Sequence, residues 1–155
     1  MDKQNFQPTT VLDKLISSAR RRSVSVMFFS GDNCRCCHAE ALASLSPCYG
    51  IEKLGVSFTD NPLHADILVV GGLISPQTAE ALLSAYDCIP EPRTVIAFGD
   101  CSASGGLFGK SYSVDNYLPV DFQITGCAAG PSQLIKVLAE YTKIGEVRNA
   151  CFSGD

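Results

Sequence analysis

The chain has little charge and no long hydrophobic run. Charged residues make up 18% and apolar residues 46% of its 155 residues, so it has either a large core or apolar surface that partner proteins cover. No apolar run approaches the ~20 residues that a helix needs to cross a bilayer, which excludes an integral membrane protein. The formal net charge of −4 provides no basic field for phosphate, which argues against nucleic acid as a partner.

We also expect no secretory signal. The basic cluster Arg20–Arg22 precedes an apolar stretch, but that stretch is short and no small-residue cleavage site follows it. The eight cysteines are therefore expected to be reduced thiols rather than a disulfide framework. Reduced cysteines serve in metal ligation, in reactive chemistry or simply as small buried side chains.

Short apolar runs alternate with helix-compatible segments along the chain. The runs that are typical of strands lie at residues 24–30, 56–59, 66–70, 93–98 and 120–125. Helices are predicted at residues 8–20, 38–45, 76–86 and 132–141. This alternation predicts an α/β fold, a flavodoxin-like doubly wound and mostly parallel sheet with helices on both faces.

We expect a single domain, because the length suits one core and no repeat or linker interrupts the pattern. The predicted divisions are an N-terminal helical arm at residues 1–22, a flavodoxin-like domain at 23–145 and a C-terminal tail at 146–155. Residues 102–118 are rich in glycine, serine and aromatic residues and are predicted to form a long ordered loop. Loops of that length inside a compact domain are usually functional.

Four cysteines follow the ends of predicted strands. Cys34 and Cys37 form a C-x-x-C pair after the first strand, and Cys101 and Cys127 follow glycine-containing turns after the last two strands. Since such ends lie together in a parallel sheet, three loops are expected to bring four thiolates to one place. Small neighbouring residues would let backbone amides approach inorganic sulfur. This donor set favours one 4Fe-4S cluster with an electron-transfer role.

Three other uses of these cysteines and their loops remain open. A structural zinc site also takes four thiolates, although zinc modules typically use two tight pairs. A thioredoxin-like redox pair would need only the C-x-x-C motif. A flavodoxin-like flavin site would place phosphate loops rich in serine and threonine where the cysteines lie.

Several motifs together resemble one known family. They are Pro62–Asp66 at the entry to a strand, Tyr86–Ile96, Gly99–Gly106, and Leu118–Asp121 leading into the Gly126-Cys127 pair. In this order they resemble the small-subunit family shared by respiratory complex I and nickel–iron hydrogenases. The resemblance implies one 4Fe-4S cluster at the interface with a large catalytic subunit. The short chain is similar to the small subunits of membrane-bound, energy-converting hydrogenases.

The resemblance also bears on the choice of ligands. Complex I members bind the cluster with two adjacent cysteines in the first loop, whereas hydrogenase members use C-x-x-C. The run Cys34-Arg35-Cys36-Cys37 contains both patterns, so Cys36 is the alternative to Cys34. Glu40 matches a glutamate found three residues beyond the cysteine in both branches. It is expected either to relay protons or to stabilise the start of a helix.

The function implied by the resemblance is a relay of electrons from ferredoxin-like clusters to the large subunit of a membrane-bound nickel–iron hydrogenase. The alternative is the cluster subunit of a complex I-like quinone or ferredoxin oxidoreductase. The implied partners are a large subunit of either type, a ferredoxin-like two-cluster subunit and membrane-arm subunits. We expect the chain to be peripheral, on the cytoplasmic side of the membrane, and to have no activity by itself.

Overall fold

The structure, a computed structural model, describes residues 23–32 and 35–150, with side chains as far as residue 142. The predicted arm at residues 1–22 and its helix lie outside the described residues. So does Cys34, one of the four cysteines predicted to bind the cluster.

Among the described residues, five strands form one sheet. They are β1 (Val24–Ser30), β2 (Val56–Phe58), β3 (Ile67–Gly71), β4 (Thr94–Phe98) and β5 (Phe122–Ile124). Their order is β2-β1-β3-β4-β5, and every neighbouring pair is parallel. This is the doubly wound order of flavodoxin-like folds, so the predicted fold class is confirmed.

In the part of the chain that the structure describes, four α-helices connect or follow the strands. They are α1 (Cys36–Ala43), α2 (Pro76–Cys88), α3 (Asp100–Ser104) and α4 (Pro131–Ala150). The start of α2 shows the expected signals, because Ser75 accepts a hydrogen bond from the N–H of Thr78 and Pro76 takes the first position. Within the described part of the chain, no helix combines the length and apolar character needed to span a membrane.

Apolar side chains cover both faces of the sheet. On one face, Val26, Val69, Ile96 and Phe98 pack with Leu134 and Leu138 of α4 and Ala41 of α1. On the other, Leu68, Val70 and Val95 pack with Ala79 and Leu82 of α2. All five residues of β3 are buried, as expected of a central parallel strand. The strand ends therefore provide a rigid edge for the loops that follow them.

The segment at residues 102–118 has more regular structure than the predicted loop. It contains the end of α3 and short 3-10 turns at Gly106–Phe108, Lys110–Tyr112 and Val114–Asn116. The hydroxyl of buried Ser102 donates to the carbonyl of Val70 at 2.7 Å. This hydrogen bond fixes the beginning of the segment against the end of β3.

Candidate functional site

Three cysteines share one pocket at the carboxyl ends of β1 and β3. The pocket is formed by residues 30–32, 35–38, 71–72 and 101, and these include Cys36, Cys37 and Cys101. The strand order reverses direction between β1 and β3. Open α/β sheets bind their ligands in the crevice at such a switch point. The cysteines therefore lie where this fold places a ligand.

The sulfur of Cys37 occupies space that Gly99 leaves free. A Cβ atom on residue 99 would lie only 2.5 Å from Cys37 Sγ. Gly99 has φ 95° and ψ 159°, a backbone conformation that is essentially restricted to glycine. Gly71, at the end of β3, also faces this side chain, because a Cβ there would lie 3.4 Å from Cys37 Cβ. Two glycines at the ends of neighbouring strands thus leave the space that the Cys37 side chain occupies.

Cys101 is covered by the turn that follows α3. Gly105 ends the helix in the left-handed conformation with φ 77°. Gly106 follows with φ 52°, and a Cβ on it would lie 3.3 Å from Cys101 Sγ. The second predicted cysteine loop therefore also places a glycine directly against its sulfur.

Cys127 lies on the neighbouring loop and is exposed. It does not contribute to the pocket that Cys36, Cys37 and Cys101 share. Its loop is nevertheless joined to that of Cys101, since the N–H of Asp100 donates to the carbonyl of Gly126 at 3.1 Å. In the reverse direction, the N–H of Gly126 donates to Oδ1 of Asp100 at 2.8 Å.

The loop after β1 is held against the loop after β3. The N–H of Asp32 donates to the carbonyl of Leu73 at 2.8 Å, and the N–H of Leu73 donates back at 3.0 Å. The Asp32 carboxylate accepts the hydroxyl proton of Thr78 at 2.6 Å. Hydrogen bonds from the Ser75 and Thr78 side chains lower the pKa of Asp32 below its ordinary value. These hydrogen bonds of Asp32 were not predicted from the sequence. The position of an aspartate just after a predicted strand could have indicated them.

Three further residues of the first cysteine segment and α1 lie near the site. Cys36 is exposed, and its role as the alternative to Cys34 stays a prediction. The ring of His38 packs edge-on against Phe28 with a centroid distance of 5.0 Å, and its buried Nδ1 atom has no hydrogen-bond partner among the residues that the structure describes. Glu40 is half-buried on α1, and its proton-relay role stays a prediction.

The spacing of the described side chains differs from that of a single-ion site. Among the residues that the structure describes, no three cysteine, histidine or acidic side chains come together closely enough to hold a metal ion. A tetrahedral zinc site with Zn–S bonds of about 2.3 Å needs its sulfurs within about 4 Å of one another. An iron–sulfur cluster is larger and takes thiolates from separate turns. Cys37 at the start of α1, Cys101 at the start of α3 and Cys127 in a turn come from separate segments, and such an arrangement fits the larger group.

The fold and the site together define a flavodoxin-like domain with cysteine-bearing loops at the carboxyl edge of its sheet. Residues 34–141 match the family model described as NADH ubiquinone oxidoreductase, 20 Kd subunit. The chain belongs to this family, which confirms the resemblance found in the sequence. An iron–sulfur cluster is typical of the family, whose members are subunits of multi-subunit oxidoreductases.

Two curated relatives illustrate the range of the family. The chain is 34% identical over 147 residues to the B subunit of NADH-quinone oxidoreductase from Citrifermentans bemidjiense, covering 92% of this chain and 84% of that protein. It is 33% identical over 140 residues to the B subunit of F(420)H(2) dehydrogenase from Methanosarcina mazei, covering 88% and 74%. The chain is thus an oxidoreductase component of this type, as the sequence predicted.

Two solved structures share the fold. A chain of the membrane-bound sulfane sulfur reductase, an archaeal respiratory membrane complex, superposes with a TM-score of 0.71 at 26% identity, covering 85% of this chain and 75% of that one. A chain of an NAD+-reducing NiFe-hydrogenase superposes with a TM-score of 0.63 at 15% identity, covering 78% and 92%. The second likeness is one of fold alone.

Proposed function

We propose that the chain is an electron-transfer subunit that binds one 4Fe-4S cluster through Cys34, Cys37, Cys101 and Cys127, with Cys36 as the alternative to Cys34. The observation that carries the proposal is the shared pocket of Cys37 and Cys101, where each sulfur lies against a glycine. Such a cluster needs four thiolates from turns that approach it closely. When bound, the cluster supplies one-electron transfer.

Aromatic rings pack behind the residues that line the proposed site. The ring of Phe28 lies next to Gly71 and contacts the fully buried ring of Phe98 edge-on, with centroids 6.3 Å apart. Phe28 and Cys37 both pack against the same buried core cluster, which contains Phe98. Solvent exclusion and hydrogen bonding to sulfur are the means by which a protein tunes the potential of a cluster.

Two kinds of complex are candidates for the surroundings of this chain. The C-x-x-C spacing of Cys34 and Cys37 favours a membrane-bound nickel–iron hydrogenase. The relatives that are subunits of NADH-quinone oxidoreductase and F(420)H(2) dehydrogenase favour a complex I-like quinone or ferredoxin oxidoreductase. In either complex the chain would be peripheral on the cytoplasmic side. It would lie between a ferredoxin-like two-cluster subunit and the large subunit, with membrane-arm subunits nearby.

The metal content of the assembled complex tests the proposed function and separates the two candidates. The complex would be purified anaerobically through a tag on this chain and analysed for iron, nickel and zinc. Iron with nickel is expected for the hydrogenase, and iron without nickel for the complex I-like enzyme. Zinc in place of iron would contradict the cluster proposal.

An exposed apolar patch follows Gly106 in the chain and suits the large subunit. It consists of Leu107, which is fully exposed, Phe108, which is 61% exposed, and Tyr112. The rings of Phe108 and Tyr112 lie 6.3 Å apart. The patch begins directly after Gly106, the residue that covers Cys101. Grouped apolar side chains on a surface mark protein contacts. We therefore propose that the large subunit docks on these three side chains, here called the α3 patch because they follow helix α3.

Replacing Phe108 with serine is expected to weaken binding to the large subunit at least about 30-fold, since a buried aromatic anchor contributes about 2 kcal/mol or more. The measurement is the dissociation constant of the subunits. Leu63→Ser is the matched control, because Leu63 is 64% exposed but lies before β3, at the opposite edge of the sheet. Unchanged affinity in Phe108→Ser, or an equal loss in both variants, would contradict docking at the patch.

A further inference from the structure

The loops that bear Cys101 and Cys127 are joined by one carboxylate. We propose that Asp100 is a positioning residue: its paired hydrogen bonds with Gly126, here called the Asp100 clamp, set the separation of the two cysteines. The clamp thereby determines how firmly the cluster is held and which electronic signature it shows. This inference rests on the proposed function, because it concerns two of the four proposed ligands.

The geometry of the Asp100 clamp leaves little freedom between the two loops. The backbone N–H of Asp100 donates to the carbonyl of Gly126 at 3.1 Å, and Oδ1 of Asp100 accepts the N–H of Gly126 at 2.8 Å. Two bonds in opposite directions fix both the distance and the orientation of the residues that they join. Each residue directly precedes a cysteine, so the clamp acts on both proposed ligands through a single peptide unit.

The clamp continues the pairing of β4 with β5 beyond the strands. The register ends at the pair Phe98–Ile124, and the N–H of Gly99 then donates to the carbonyl of Ile124 at 2.7 Å. Because β5 has only three residues, its own ladder constrains the following loop weakly. A hydrogen bond to a carboxylate is roughly twice as strong as one between neutral groups. Asp100 therefore constrains the loop after β5, which the short strand alone would constrain only weakly.

The same device occurs where no cysteine is involved. At the amino ends of β4 and β5, Oδ2 of Asp121 accepts the N–H of Val95 at 3.0 Å, and the N–H of Asp121 donates to the Val95 carbonyl at 2.9 Å. Asp66 makes the equivalent pair with Ser25, at 2.9 and 2.8 Å. These two pairs join strands, whereas the Asp100 clamp joins cysteine loops. Asp121 is thus a matched control on the same strand pair.

The test uses the whole complex, purified anaerobically, with Asp100→Ala, Asp100→Asn and Asp121→Ala in this chain. The readouts are the rate of iron release to a chelator and the electron paramagnetic resonance spectrum of the reduced cluster. The signal of this cluster is identified by its loss in Cys101→Ala. Asp100→Ala is expected to release iron about tenfold faster, as is typical when a residue that orients ligands is lost, and to show altered g-values.

Asp100→Asn keeps an acceptor oxygen in the same place and is expected to restore slow release and the wild-type spectrum. Asp121→Ala is expected to change neither readout. Wild-type behaviour of Asp100→Ala, or equal changes in Asp121→Ala, would overturn the clamp while leaving the cluster proposal intact. A wild-type complex without this cluster would overturn both. If Asp100→Ala does not assemble, Asp100→Glu must alter the spectrum, and an unchanged spectrum would refute the role.

Discussion

Replacement of Cys101 by alanine is expected to remove the cluster from this chain and to stop electron transfer through the complex. Its sulfur lies in the pocket shared with Cys36 and Cys37 and next to Gly106, and helix α3 carries no other proposed ligand. A cluster that loses one of four thiolate ligands has an iron without its protein anchor. The expected result is a loss of about four iron atoms per complex, with activity at background.

The matched control for this substitution is Cys88→Ala. Cys88 is exposed at the last turn of α2, away from the carboxyl edge of the sheet, and its replacement is expected to leave iron content and activity unchanged. Both variants would be measured by metal analysis and by turnover with the same electron acceptor. Full activity in Cys101→Ala would exclude this cysteine as a ligand.

Replacement of Gly99 by alanine is expected to have a comparable effect without removing any ligand. The added methyl group would lie 2.5 Å from Cys37 Sγ and 3.5 Å from the carbonyl oxygen of Gly126, so the sulfur or the end of β4 would have to shift. The backbone conformation adds a strain of about 1–3 kcal/mol. We expect the variant to lose most of its iron, because the Cys37 sulfur can no longer keep its position beside residue 99.

The variant Gly109→Ala separates the effect of the steric clash in Gly99→Ala from the effect of backbone strain. Gly109 has φ 88° and ψ 167°, close to the values of Gly99, but a Cβ on it would meet no atom within 4 Å. Both variants should unfold at lower temperature, as followed by circular dichroism, whereas only Gly99→Ala should lose iron. Equal iron content in the two variants would mean that the contact with Cys37 does not matter for the cluster.

Much of the fold could be predicted because its strands are short apolar runs. The predicted strand at residues 66–70 is β3 at Ile67–Gly71, and the one at 93–98 is β4 at Thr94–Phe98. Helix boundaries were less accurate. Helix α1 begins at Cys36 rather than at residue 38, because Arg35 adopts a left-handed conformation with φ 59° that starts the helix early. Arginine carries no sequence signal for that conformation.

For the candidate site, the meeting of the cysteine loops at one edge followed from the parallel topology alone. The support around them could not be predicted in the same way. The contact of Gly99 with Cys37 and the Asp100 clamp each join segments far apart in the sequence, and they depend on the register between strands. The position of Asp100 beside Cys101 at the end of a predicted strand could have indicated a structural role. Its hydrogen-bond partner, Gly126, could be identified only from the three-dimensional structure.

The position of the α3 patch has a consequence for the order of assembly. The patch begins next to the turn over Cys101, and Cys127 is exposed, so a large subunit docked there would cover the entrance to the site. The proposed cluster would then have to be inserted before the large subunit docks. Docking would afterwards shield the site from solvent.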